Sequence, residues 1–484
     1  MNRLHLQCLC PAAAWLTLLL SGCVTHIPQV LTPRMTPGAF SGQPDSSQAI
    51  WPAADWWHNL GSGELTDLIG RAQAENRDLA AAVARVLQAQ ARVTVQRAPL
   101  FPQINGQSQA QRTSVNAAQS TGGQGQSAGS ATSNTFTLNA SAGYELDIWG
   151  QARNNLRAAR ETLKSARFDQ QSVALTVTAN VATTYFSVLA LRERTAIANE
   201  DIAAIKSILD VISLKVSAGT SSHLDLAQEQ AQLEGVQAQL AALEQSELET
   251  RVNLAILLGQ PPQTLRIAAQ GLQEVSPPAV APGLPSELLI RRPDVAEAEA
   301  KLASAHANLD AARAAFLPQF SLTGSGGYAS STIGALVRGP SFVWDAGAGV
   351  LQTIFDGGRL LGQKNLALGV QQELIADYQG AVLQAYADVE IALGQVKNQH
   401  NAEAHLRREV EAAREAFGIA QLQYRQGATD LLTVLQAQQT LFGARDQLAQ
   451  TTLARLQAVV HLYEALGGGW VEAPGDRTQA SGAS

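Results

Sequence analysis

The sequence is poor in cysteine, charge and aromatic residues, and each shortage removes a class of protein. Its three cysteines are Cys8, Cys10 and Cys23, and the first two lie inside an N-terminal leader. A chain cut before Cys23 keeps a single thiol, which excludes an intramolecular disulfide framework and a multi-cysteine metal site. Charged residues make up 15% of the 484, against roughly 25% in typical soluble proteins, and no run of Lys or Arg interrupts a net charge of −7. No nucleic-acid partner is expected from that balance. The eight histidines are scattered, and His400 and His405 stand five apart, off the helical i, i+4 pairing of a zinc protease. There is no Walker A sequence, and Gly122-Gly123-Gln124-Gly125 sits in a Ser/Gln-rich loop rather than between a strand and a helix. We expect no catalysis, no metal and no cofactor beyond a covalent lipid.

The leader is the first positive signal. Met1-Asn2-Arg3 is a short basic start, and residues 12–20 form an apolar run too short to span a bilayer as a mature helix. It ends in Leu20-Ser21-Gly22-Cys23, which resembles a bacterial lipobox, where the leader is removed before a cysteine that is then acylated. The alternative is an ordinary signal peptide with an incidental cysteine. Val24 follows, where lipoproteins retained at the inner membrane carry Asp. Acyl chains contribute about 0.8 kcal/mol per buried methylene, so two or three would hold the N-terminus firmly.

The mature chain is an internal duplication. Gly150 and Gly358 are 208 residues apart, as are Gly219 and Gly427, and Gly259 and Gly467. Phe101-Pro102-Gln103-Ile104 parallels Leu317-Pro318-Gln319-Phe320 at an offset of 216, and Asp78-Leu79 parallels Asp294-Val295 at the same offset. The difference of eight falls between Pro102 and Gly150, across the Ser/Gly/Gln-rich stretch 114–133, where a loop tip tolerates insertion.

Each half predicts a helical stretch (65–98 and 286–315), a pair of alternating segments around a polar turn, and a very long helix (151–217 and 359–425). A second helix then follows a Gly-containing break (223–258 and 430–466). Pro293 kinks or restarts the second of the leading stretches. Leu226, Leu233 and Leu240 are seven apart with Val236 and Leu243 between them, and Ile205, Leu209, Ile212 and Val216 repeat the pattern on the preceding helix. The short link 219–222 makes these two an antiparallel hairpin.

The alternating segments carry most of the functional information. Phe136, Leu138, Ala140, Ala142, Tyr144 and Leu146 alternate with Thr135, Thr137, Asn139, Ser141, Gly143, Glu145 and Asp147. Gln103, Asn105, Gln107, Gln109 and Gln111 give their partner strand a polar side. The second half repeats the plan with Phe320, Leu322, Gly324, Gly326 and Tyr328, then Phe342, Trp344, Ala346, Ala348 and Val350. Strands of this length with one lipid-compatible and one wet face suit a transmembrane barrel. A soluble hairpin packed on the helices is the alternative. One chain supplies four strands, which cannot close a barrel, so several chains related by rotation are needed. Two, three or four chains would give eight, twelve or sixteen strands, and the sequence leaves the number open.

These residues together resemble the TolC-like outer-membrane efflux factors, in particular their lipoprotein branch. The resemblance runs through the lipobox, Trp56-Trp57, Leu65-x-x-Leu68-Ile69, Asn76-Arg77-Asp78-Leu79 and Phe101-Pro102-Gln103. It continues in Tyr144-Glu145-Leu146-Asp147-Ile148-Trp149-Gly150, Phe355-Asp356-Gly357-Gly358-Arg359 and Leu466-Gly467-Gly468-Gly469-Trp470. It implies an α+β membrane protein: a homotrimer with a 12-stranded transmembrane β-barrel in the outer membrane, continued by a long periplasmic α-helical barrel. The chain then divides into a lipoprotein signal peptide (1–22), a lipid-anchored belt segment (23–61) and a first repeat (62–259; β-hairpin 102–147, helical hairpin 151–258). An equatorial linker (260–285), a second repeat (286–466; β-hairpin 318–355, helical hairpin 359–466) and a belt segment with tail (467–484) complete it. The implied function is an efflux channel that conducts small molecules, drugs among them, passively. The implied partners are a periplasmic adaptor and an inner-membrane pump, of the resistance-nodulation-division type in this branch. Type I protein secretion is the other use of the class.

By the same resemblance, the periplasmic end is shut by the second hairpin's tip. The apolar gate position falls on Leu432, and the usually acidic positions fall on Thr433 and Gln436, neither acidic here. Their first-hairpin counterparts are Asp225 and Gln228, so one carboxylate survives at the matched positions. A gate held by Leu432 packing and Gln436 hydrogen bonds is expected, with a milder acidic ring from Asp225 or Asp430. The tips, with Gly219, Leu224 and Leu226 on one hairpin and Gly427, Asp430 and Leu431 on the other, are the expected adaptor contacts. A rival from another class is a structural periplasmic lipoprotein with coiled-coil arms and no pore. It accounts for the helices and Cys23 but not for four lipid-compatible strands at matched positions.

Overall fold

A computed structural model describes residues 40, 51–116, 130–275 and 288–470. Cys23, the hairpin tip 117–129, most of the N-terminal belt segment, residues 276–287 and the tail from 471 lie outside the described residues.

The first half holds helices α1 (Gly63–Glu75) and α2 (Arg77–Arg97), strands β1 (Gln103–Asn116) and β2 (Ser130–Leu146), then helices α3 (Gln151–Ser217) and α4 (His223–Leu257). The second half repeats this with α5 (Pro293–Ala314), β3 (Gln319–Ser330), β4 (Phe342–Leu351), α6 (Arg359–Arg425) and α7 (Leu431–Ala465). Both long helices have 67 residues and both return helices have 35. At 1.5 Å per residue the long pair reaches about 100 Å.

The duplication extends to hydrogen bonds at the helix ends. All four hairpin helices stop in the same way, with a left-handed glycine closing two reverse bonds. At the end of α3, Thr220 N donates to Lys215 O at 2.8 Å and Gly219 N to Val216 O at 2.9 Å. Ala428 and Gly427, Gln260 and Gly259, and Gly468 and Gly467 repeat this pair of bonds at the ends of α6, α4 and α7. Where strand becomes helix, Asp147 accepts from the Ala152 and Arg153 amides at 3.0 and 2.8 Å, and Asp356 accepts from those of Gly358 and Leu360 at 3.0 and 2.9 Å. An aspartate ahead of a bare helix start satisfies amides that have no partner inside the helix.

The structure departs from the sequence-based expectation in two places. The helical stretch over 65–98 is two helices, because Asn76 is extended and its side chain accepts from the Asp78 and Leu79 amides. Asn76 Nδ2 also donates to Leu257 O at 2.8 Å, which pins the break to the end of α4. The restart expected at Pro293 is there: α5 begins at that proline, whose missing N–H is harmless at the first helical position. Strand β2 begins at Ser130, five residues before the alternation becomes clear.

The main core lies near the middle of the helices. Val177, Val181, Tyr185, Phe186 and Leu189 of α3 meet Leu456, Val460 and Tyr463 of α7, with Trp56 and Leu60 from the N-terminal turn. Trp56 stacks on Tyr463 with ring centroids 4.7 Å apart. Each such side chain contributes about 1.5–3 kcal/mol by leaving water. Helix α3 is long and apolar enough to pass for a membrane span, but over half of its apolar window is buried inside the protein. That apolarity is spent on this core.

Glycine is obligatory for space as well as for φ at Gly467, where a Cβ would stand 1.9 Å from Arg291 O, whereas one at Gly219 would meet nothing within 4 Å. Gly219→Ala is expected to cost about 1–2 kcal/mol from its positive φ alone. Gly467→Ala should cost more than about 3 kcal/mol, read from thermal melting in detergent by circular dichroism. Equal losses would contradict the close approach.

Candidate channel wall and periplasmic gate

The four strands form one antiparallel sheet in the order β1-β2-β3-β4. Its register gathers the apolar residues of both halves on one face. Ala142, Gly324 and Ala346 stand side by side, as do Leu138 with Tyr328, Leu146 with Phe320, and Phe320 with Val350. Asn105, Ser141, Ser325 and Asp345 line up on the opposite face, and Gln107 faces Asn139. The apolar face runs from Phe136 to Leu146, eleven residues of β2. That is about 33 Å of strand, or about 25 Å of height at a barrel's usual tilt, the thickness of a lipid-facing band.

Aromatic side chains mark both margins of the band. Tyr328 and Phe342 meet edge to face at 5.6 Å at one end. Phe101, Trp149 and Phe316 stand exposed where strands turn into helices, with Ile354 at 95% and Phe355 at 91% exposure in the link from β4 to α6. Trp149 Nε1 donates to Pro318 O at 2.7 Å, tying the first half's strand–helix corner to the second half. Such amphipathic rings belong at the boundary between lipid and water. Strands β1 and β4 each have one side unpaired within the chain, and every residue of β4 is exposed.

At the other end of the molecule the two hairpin tips pack together. Ile208 and Ile212 of α3, Ala420 and Tyr424 of α6, and Leu431 and Val434 of α7 form their cluster. Lys215 Nζ lies 3.8 Å from the centre of the Tyr424 ring and donates to Tyr424 O at 2.8 Å. Leu431, expected among the adaptor contacts, is 5% exposed in this cluster and belongs to the core. Leu226 packs against the same cluster and is half-buried. A helix entering the bundle must turn some of its first apolar residues inward, and these are the ones. Leu224 stays exposed, as do Gly219 and Gly427, whose φ of 73° and 76° make the turns.

Leu432 is 57% exposed, so it is not hairpin core. Thr433 and Gln436 are exposed with it, one helical face of α7 away from Leu431, Val434 and Gln438. Asp225 sits on the other hairpin, where it closes a capping box at the start of α4. There it accepts from Ser221 Oγ at 2.6 Å and Ser222 N at 3.1 Å. These bonds, Ser221's first, hold its carboxyl below the ordinary range, and Asp430 is lowered likewise by Thr433, whose hydroxyl and amide it binds at 2.7 and 2.9 Å. Both acids are charged at neutral pH, each engaged in starting a helix.

Sequence reading missed the polar ties between the two hairpins. Arg194 pairs with Asp446 at 2.6 Å, Arg445 pairs with Glu200, and Gln438 Nε2 donates to Asp201 Oδ1 at 2.7 Å. Asp201 interrupts an apolar stripe at Ile197, Ala198, Ile202 and Ile205, the one signal that could have found it.

A sheet apolar on one face and wet on the other, set on 67-residue helix pairs, defines a subunit of an outer-membrane channel. The family model of outer membrane efflux proteins matches residues 68–260 and 284–468, and the chain belongs to that family. It is 39% identical over 463 residues to the pyoverdine export outer membrane protein OpmQ of Pseudomonas putida, covering 96% of this chain and 97% of that one. It is 30% identical over 468 residues to the cation efflux system protein CusC of Escherichia coli, covering 94% and 97%. It is 33% identical over 420 residues to the toluene efflux pump outer membrane protein TtgI of Pseudomonas putida, covering 84% and 85%. Among solved structures, the outer-membrane channel OprN aligns with a TM-score of 0.84 at 25% identity over 91% of this chain and 98% of its own. The open-state MtrE channel of Neisseria gonorrhoeae aligns at 0.82 and 27% over 92% and 98%. The chain therefore has the α+β fold of the trimeric TolC-like channels and is an outer-membrane component of an efflux system.

Leu431→Ala should destabilise the second hairpin by about 2–3 kcal/mol, while Leu432→Ala stays within about 0.5 kcal/mol, both read from amide hydrogen exchange along α7. Reversed magnitudes would mean that the two side chains have been assigned to the wrong faces.

Proposed function

We propose that three copies of this chain close one conduit through which small molecules leave the cell, driven by an inner-membrane pump of the resistance-nodulation-division type through a periplasmic adaptor. The observation that carries this reading is the sheet register, which leaves two open edges on a face built for lipid. Unpaired backbone groups are not tolerated in hydrocarbon, so neighbouring copies must supply the missing partners. Cys23 carries the lipid that holds each N-terminus at the membrane. The protein performs no chemistry on its cargo.

The gate we assign is the exposed face of α7, where Leu432, Thr433 and Gln436 from each copy converge. Leu432 supplies apolar contact, and the Gln436 side chain, with no bond inside the chain among the described residues, is available to a neighbouring copy. Asp225 and Asp430 are charged and supply a mild negative ring, each offset in part by the positive end of the helix it starts. Of the tip residues, Leu224 with the two glycine turns offers the adaptor surface; Leu226 and Leu431 support it from within.

The polar strand face of Gln, Asn, Ser and Thr makes a wet wall that suits many cargoes. Relatives on this frame are named for pyoverdine, cation and toluene export, three unlike chemistries. Cargo selection therefore lies upstream, in the pump.

In planar bilayers, Leu432→Ala and Gln436→Ala channels should conduct more than the parent; conductance no higher than the parent's would remove the gate role. Cys23→Ala should lose its acyl mass on intact-protein mass spectrometry while keeping its oligomer. An unchanged mass would show that no lipid is attached there.

A further inference from the structure

Along α4 the seam facing the bundle runs Leu226, Glu229, Leu233, Val236, Leu240 and Leu243, alternately three and four residues apart. Glu229 is its single polar member, and the matched residue 208 positions on is Ala437. Glu229 is nonetheless 0% exposed. It lies between two apolar layers, the tip cluster that Leu226 joins and the cluster of Ile202, Ile205, Val236 and Leu243.

Both carboxylate oxygens of Glu229 are buried without a hydrogen-bond partner, and so is Oε1 of Gln438 on α7. Gln438 Nε2 is committed to Asp201 of α3. With both acids ionised, this layer holds acceptors in excess of donors in a low-dielectric interior. One proton on Glu229 supplies a donor and removes one of two neighbouring like charges.

We propose that Glu229 is a proton-binding site: its protonated form clamps α4 against α3 and α7, and its ionised form loosens the hairpin tips toward the open channel. The effect on conduction rests on the reading of the tips as the gate; the proton site itself does not. Around Glu229 stand Asp201 from α3 and Tyr424 from α6, with Asp225 one turn earlier on α4; Arg445 of α7 bears on this layer through Asp201. Arg445 acts on Asp201 while paired with Glu200. Tyr424 is a neutral phenol that burial holds above its ordinary value.

Burial first, and then the charge of Asp201, push Glu229 from an ordinary 4.5 up to about 7. The clamped packing thus binds the proton more tightly than a loosened one. Its proton-linked stabilisation is complete below 4.5, declines as pH rises, and is gone above about 7. The ratio of open to clamped channels should rise on the order of a hundredfold from pH of about 5 to about 8.

The test is single-channel recording of the full-length protein across that range, paired with infrared titration of its carboxyl groups. The wild type should open increasingly as pH rises. Glu229→Gln, which keeps a donor and carries no charge, should stay at the acid level throughout. Asp201→Asn, which removes the like charge, should move the midpoint to lower pH. The infrared carbonyl band of a protonated carboxylic acid should persist near neutral pH and vanish in Glu229→Gln. A pH-independent wild type, or a Glu229→Gln channel with an unaltered pH profile, would overturn the clamp. No such band, or opening set by added metal cations at constant pH, would overturn the proton site. A titrating band in a protein that conducts at no pH would support the proton site and count against the gate.

Discussion

Hydrocarbon offers no partner for a backbone amide, and the architecture follows from that constraint. The sheet of β1 to β4 satisfies its interior by pairing and its faces by patterning, but it cannot satisfy its own edges. A longer chain could have wrapped round to meet itself. This one repeats two hairpins and leaves closure to copies related by rotation, at three chains and twelve strands in the fold it shares with its relatives. The helices inherit the same rotation, since each strand pair passes into helix through an aspartate-capped corner with a left-handed glycine, Gly150 or Gly358.

Below the membrane the packing problem changes. Helices of 67 residues cannot be held by one compact core, so contacts come as separate apolar clusters strung along the bundle. Beside the clusters, polar ties join one hairpin to the other: Arg194 to Asp446, Gln438 to Asp201, Lys215 to Tyr424. Apolar seams tolerate sliding, whereas hydrogen bonds have a definite length and direction. A few directional ties between slippery seams fix the register of one hairpin on the other.

Much of this was legible in the residues because the signals are periodic. Two-residue alternation from Phe136 to Leu146 identified the wall strand, and recurring glycines identified the repeat and the helix ends. A helix entry at Asn76 was legible by resemblance, but the bond from its side chain to Leu257, 181 residues away, was not. Leu431 and Leu432 look alike in sequence, and only the direction in which α7 meets α6 decides which is core. The acidic gate position at Asp225 was read by correspondence alone; the hydrogen bonds that engage it come from Ser221 and Ser222, beside it in sequence but shaped by the turn. Glu229 escaped notice for the opposite reason, since an acid in a heptad is ordinarily on the wet side.

Barrel closure between copies is the claim on which the rest depends, and cysteine cross-linking tests it directly. A chain with one cysteine on the polar side of β1, at Gln107, and a second at successive positions from 343 to 349 of β4 would be oxidised in native outer membranes. At the correct register, ladders ending at three chains should form, and none should exceed three. Cross-links confined within one chain, or none at any register, would contradict a barrel closed by neighbouring copies.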